Sequence, residues 1–313
     1  MKKFFIMLAA AATVVSCANE ETISRVEGEA IGFNSFVENA TRAAVDPSLG
    51  TNANPFNTFN VWGTVGGVAI FSGNSVTKGN NDIWTCGDVK QYWIKDAQYK
   101  FAAVAGVAKT AVTAGDDKLP AKVVVDATSA AVDLLYAPSV SMTGKASNNP
   151  EVPFIFSHLL SKVKFTVINN STAAANYSFN VRDIVVKGSK TGTIKLSDKS
   201  WEDKSTADNY TVPTITVNAT TASAECANEL LLIPGNIDIT FVVDILCEGT
   251  PIATHEYNTT PYTRSIDGGC AYNFKIEVSV GEEIKFTVDE YIDWDGDDTT
   301  DGIQDGYNDT TLL

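Results

Sequence analysis

Histidine, methionine and cysteine are scarce in this chain of 313 residues, at 2, 3 and 5 copies, and the scarcity of histidine and cysteine narrows the chemistry open to it. His158 and His255 are the only side chains whose ordinary pKa lies near neutrality. His255 has no nearby serine or cysteine motif to activate, and GxSxG, HExxH, phosphate-loop and dinucleotide fingerprints are all missing. Paired carboxylates carry no signal in so acidic a chain. The residues therefore argue against an enzyme. Cys86, Cys226, Cys247 and Cys270 show no CxxC spacing, which argues against zinc. Three of these four lie between positions 226 and 270, so any disulfide is expected in the second half. Cations are short as well, with 23 Lys and Arg against 38 Asp and Glu and a formal net charge of −15. Such a surface repels phosphate and excludes nucleic acid and anionic membrane as partners. No apolar run reaches the roughly 20 residues of a spanning helix.

The chain opens on a short apolar run with a basic start. Lys2 and Lys3 precede Phe4 to Val15, the length of a signal-peptide core. Val14-Val15-Ser16-Cys17 resembles the lipobox of bacterial lipoproteins, which implies acylation of Cys17 and removal of residues 1–16 as a signal peptide. That removal takes away two lysines and no acid, moving the net charge to −17, and leaves the lipid as the anchor in a membrane. Ala18-Asn19-Glu20-Glu21 resembles the surface-export signal of Bacteroidetes lipoproteins, and residues 17–29 read as a tether. The expected location is the outer membrane, facing outward.

Beyond the tether the pattern is β. Runs with a period of two or compact apolar character recur about every ten residues between turn signals, at 59–65, 68–71, 83–84, 92–94, 99–104, 121–125 and 134–137. A short helix is expected only at Asp126 to Val132. Met142 to Pro153 is polar and reads as a linker, after which strands resume at 154–156, 159–167, 179–186, 192–196, 230–234, 238–246 and 272–280. One core of this size would be unusually large. The expected organisation is an N-terminal β-sandwich over 30–147, a C-terminal one over 148–292 and an acidic tail over 293–313. Tryptophans 62, 84, 93 and 201 suit core packing better than a sugar platform, and His158 is expected at a strand edge with a backbone partner.

Two segments stand out. Ile31, Phe33 and Val37 lie on a strand that runs directly into Glu38 to Ala44, a loop holding Arg42, one of the few arginines. An ordinary first strand and loop is one reading, and a strand to be cut free after Arg42, with Arg25 as second choice, is the other. Near the C-terminus Ile284, Phe286 and Val288 alternate, as the last strand of their own domain or as a strand donated to a neighbour. Asp293, Asp295 and Asp297 occupy the first three ligand positions of a calcium loop, but Asp298 replaces its glycine and Gln304 its bidentate glutamate. A solvated acidic tail is the better reading, and no cofactor is expected.

These landmarks in their order resemble the fimbrillins, the fimbrial subunit lipoproteins of Bacteroidales. The matching pieces are the lipobox at Cys17, Ala40-Thr41-Arg42-Ala43, Phe59 to Trp62, Asp133 to Ala137, Val152 to Val163, Leu231 to Gly235 and Gly268 to Phe274. The resemblance implies two transthyretin-like β-sandwiches in tandem, a protease that cuts after an arginine, and polymerisation with other fimbrial subunits by donor-strand exchange. It also implies a role in adhesion. A surface lipoprotein that binds glycan or protein without polymerising, or a fimbrial anchor or tip subunit, remains the alternative.

Overall fold

The computed structural model describes residues 28–37 and 57–291, except 80–82, 88, 129–132, 172–175, 219 and 282–283, with backbone alone at 36, 37, 258, 259, 290 and 291. The first half holds β1 (Phe33–Val37), β2 (Thr58–Val65), β3 (Val68–Lys78), β4 (Trp84–Thr85), β5 (Gln98–Ala105), a 3-10 turn at Lys109–Ala111, β6 (Val112–Ala114), β7 (Pro120–Asp126), β8 (Leu135–Thr143) and β9 (Val152–His158). Then come β10 (Ser161–Asn169), β11 (Tyr177–Gly188), β12 (Thr191–Lys195), β13 (Trp201–Glu202), β14 (Asp208–Val212) and β15 (Ile215–Asn218). The last are β16 (Ser223–Glu225), β17 (Leu230–Leu232), β18 (Gly235–Cys247), β19 (Thr250–Ile266), β20 (Ala271–Val278) and β21 (Lys285–Tyr291). The protein is all-β, and no α-helix occurs among the described residues. Part of the expected short helix, 129–132, lies outside them, and Asp126 itself ends β7.

Seven strands close into a barrel in the order β1-β4-β3-β2-β5-β8-β9. Its interior follows the period of two: Phe59 and Val61 from β2, Phe101 and Ala103 from β5, and Val152, Phe154 and Phe156 from β9 all point inward. The β2–β3 hairpin turns on Gly66 and Gly67, whose φ of 55° and 83° suit the two-residue turn that matches strand twist. Gly63 is required for a different reason. A Cβ there would lie 2.6 Å from the Phe101 ring and 3.0 Å from that of Phe71, so its absence lets those rings meet beneath β2. Of the expected strand at 92–94, only Tyr92 pairs, through one bridge to Ala30.

β5 is buried on both faces. Ala102 and Val104 look away from the barrel into a second cluster with Trp62, Val123, Val125, Leu160, Ile194 and Ile233. A four-stranded sheet in the order β13-β12-β7-β6 covers that cluster, pairing β7 with β12 from beyond the expected linker. The third cluster is a two-layer sandwich. One sheet holds β16-β10-β20-β21 with β17, the other β14-β11-β18-β19 with β15, and Val163, Phe165 and Val167 on β10 face Phe179 and Val181 on β11 across it. β9 lies beyond the unit expected over 30–147, yet it pairs with β1 and β8 and fills the barrel, so the first core extends to His158.

Candidate functional site

The barrel is closed by β1, packed between β4 and β9. β1 is five residues long and runs parallel to β9 in the register Phe33↔Val152 to Val37↔Phe156. On its other side one pair, Phe33↔Trp84, is found among the described residues, with the two-residue β4. Two backbone bonds continue that side toward the N-terminus, Ile31 N–H to the Gln91 carbonyl at 2.8 Å and Trp93 N–H to the Glu29 carbonyl at 3.0 Å. β9 in turn meets β8 only through Leu135↔His158 and Tyr136↔Ser157. Removing β1 would therefore leave residues 152–156 of β9 as an open edge.

The groove under β1 is aromatic. Phe33, 2% exposed, has the rings of Phe59, Phe71, Phe101 and Phe154 within 5.5–6.4 Å. Ile31 is buried beside it. Val37 pairs with Phe156 through the backbone, and its side chain lies outside the described residues. At the entry to β1, Glu29 accepts two bonds from Asn149 at 2.8 Å, from the backbone N–H and from Nδ2, which hold its carboxyl below the ordinary value. Near the seam Ile83 before β4, Tyr92 bridged to Ala30, Ile94 and Ile155 on β9 are exposed. Sequence reasoning found Ile31 and Phe33 by their alternation. It missed Glu29, Asn149 and the aromatic lining, because their partners lie far along the chain.

Cys17, Arg25, Arg42, Asp293, Asp295 and Asp297 lie outside the described residues. Ile284, Phe286 and Val288 are buried in the C-terminal sandwich, where β21 is an edge strand paired antiparallel with β20 from Ala271↔Tyr291 to Glu277↔Lys285. Among the described residues no cluster of three His, Cys, Asp or Glu side chains is placed to hold a metal. The disulfide expected in the second half does not form, since Cys226, Cys247 and Cys270 are not bonded to one another or to Cys86, and burial pushes the thiols of Cys86 and Cys226 up. His158 Nδ1 lies 3.0 Å from the Asp133 carboxylate. Trp62, Trp84 and Trp93 are buried, and Trp201 is packed against the middle cluster, so none is offered to a sugar.

Comparison with curated proteins finds no match. Solved structures do resemble the chain. A fimbrial protein from Bacteroides vulgatus matches 83% of it and 98% of its own length at 15% identity, with a TM-score of 0.60. A proposed cell adhesion protein from Bacteroides ovatus matches 85% and 98% at 12% identity and a TM-score of 0.53. Another from Bacteroides eggerthii matches 84% and 96% at 12% identity and 0.50. At these identities the likeness is one of fold. A family model described as fimbrillin-like covers residues 41–290, from just beyond β1 to the last strand. On that match the chain belongs to the fimbrillin-like family.

Proposed function

We propose that this protein is a non-enzymatic structural subunit of a surface fimbrium serving adhesion, in which β1 is a placeholder removed after cleavage at Arg42. The groove it vacates then accepts an extended segment of a neighbouring subunit. One observation carries the reading: β1 closes an aromatic core, yet among the described residues has a single β-pair on one side, and it leads into the segment that holds Arg42. An open groove of this kind exposes apolar rings and an unpaired strand edge, and both favour strand addition. Each large side chain returned to it would contribute about 1.5–3 kcal/mol, in addition to the ladder of hydrogen bonds.

The donor proposed is the segment with Ile284, Phe286 and Val288. As part of an edge strand it leaves its own sheet by breaking one ladder, and its inward residues repeat at the spacing of Ile31 and Phe33. The lipid on Cys17 would carry the uncut precursor to the outer membrane, where β1 prevents early polymerisation. The acidic residues after β21 favour a second role for the same fold, an anchor or tip subunit whose C-terminus is not donated. The deciding measurement is the N-terminus, mass and native size of the protein taken from intact cells. A chain starting at Ala43 in polymers that resist mild detergent supports exchange. Clean trimming after Arg42 that leaves monomers refutes it, and an acylated chain starting at Cys17 and running as a monomer favours the anchor.

A further inference from the structure

We propose that Ser35 makes β1 the weaker occupant of its own groove, and that the position it fills selects an apolar side chain in the strand that replaces β1. The proposal rests on the strand-exchange reading above and concerns which strand the groove prefers. Paired residues on parallel strands share a face, and Ser35 is paired with Phe154, which is fully buried. Ser35 therefore follows Ile31 and Phe33 on the inward side of β1, beside a ring that lies 5.5 Å from Phe59 and 6.1 Å from Phe156. Its Oγ is buried there and finds no hydrogen-bond partner among the described residues. The backbone N–H of Ser35 donates to Asn34 Oδ1 at 2.9 Å, a bond internal to β1 that leaves the hydroxyl as it was.

A buried hydroxyl with no partner forfeits the bonds it made to water, and a small polar side chain forfeits contact with the rings around it. An apolar side chain at this register recovers both. The C-terminal segment has that pattern without interruption. Laid over Ile31, Phe33 and Ser35, the residues Ile284, Phe286 and Val288 place valine where Ser35 stands; shifted by one pair, they place Phe286 there. The resident strand thus closes the barrel well enough for export, while a strand alternating fully with apolar residues fills the groove better.

Two measurements test this. In the full-length uncut protein, Ser35→Ala should raise the melting temperature by a few degrees. Alanine is disfavoured in strands, so the rise would not come from β-propensity. An unchanged or lower melting temperature overturns the proposal. Selection is read on wild-type protein cut after Arg42 and offered three differently labelled synthetic peptides of residues 28–37: native, Ser35→Val and Ser35→Ala, the last covering the case in which valine is too large. At least one apolar peptide should be taken up tenfold or more in preference to the native one. Equal uptake overturns the selection and leaves strand exchange standing. Uptake of none, by a protein that Ser35→Ala stabilises, overturns strand exchange and the selection with it.

Discussion

The ring of Phe33 lies nearly parallel to that of Phe154, with centroids 6.0 Å apart and planes 12° apart. β1 is thus bound to β9 by a side-chain stack as well as by a backbone ladder, while Phe59, Phe71 and Phe101 meet Phe33 edge-on from below. A strand of five residues with one flanking pair on its β4 side among the described residues depends heavily on that one ring.

Phe33→Ala should accordingly cost the uncut protein about 3–5 kcal/mol, the usual loss for a phenylalanine removed from a packed core. Asn34→Ala, on the opposite face of the same strand, should cost less than about 1 kcal/mol. Urea unfolding of the two variants checks this. Losses of equal size would mean that β1 contributes through its backbone alone.

Phe286 has Phe241, Tyr262 and Phe274 within 4.9–5.7 Å in its own sandwich. Phe286→Ala should therefore destabilise the monomer by a similar 3–5 kcal/mol, whatever its part in assembly. Deleting residues 292–313 should leave both the melting temperature and polymer formation unchanged. Polymers lost with that deletion alone would move the donor from β21 into the acidic tail.

The Glu29 carboxyl, held below its ordinary value of 4.5 by two bonds from Asn149, couples the entry of β1 to pH. A depressed folded value adds stability that is present above the ordinary carboxylate value and is lost as pH falls through the folded one. Wild type should melt slightly above Glu29→Gln at pH 7, and the two should converge in strong acid. The side chain is exposed, so the margin is small. A margin that widens in acid would reverse the assignment.

If the lipid on Cys17 proposed above is the anchor, Cys17→Ala should release the protein from the membrane fraction. Unchanged association after this substitution would place the anchor elsewhere in the chain.

Much of the fold was legible because alternation is local. Val163, Phe165 and Val167 on β10 read as a buried face from their spacing alone, and they are one. β19 was not legible. Its 17 residues are mostly threonine, tyrosine, asparagine and charged side chains, with no apolar face of period two, and it stands as an edge strand because β18 supplies the pairing from Gly235↔Ile266 to Cys247↔Thr250. The seam was half legible. Ile31 and Phe33 announced a strand with a buried face, whereas the orphaned hydroxyl of Ser35 followed from its pairing with Phe154.

By itself the sequence determined what depends on near neighbours: strands and their inward faces, an acidic surface, and the lack of catalytic or zinc-binding patterns. Side-chain direction in a strand follows from a repeat of two residues, so these features needed no knowledge of partners. Tertiary structure decided which strands meet. Glu29 and Asn149, 120 residues apart, hold the entry of β1, β9 closes the barrel begun by β1, and β7 joins β12 across the expected domain boundary. An extended strand offers the same backbone groups to any other, so the choice of partner falls to the packing of side chains distant in sequence, and the site lies where that packing is thinnest.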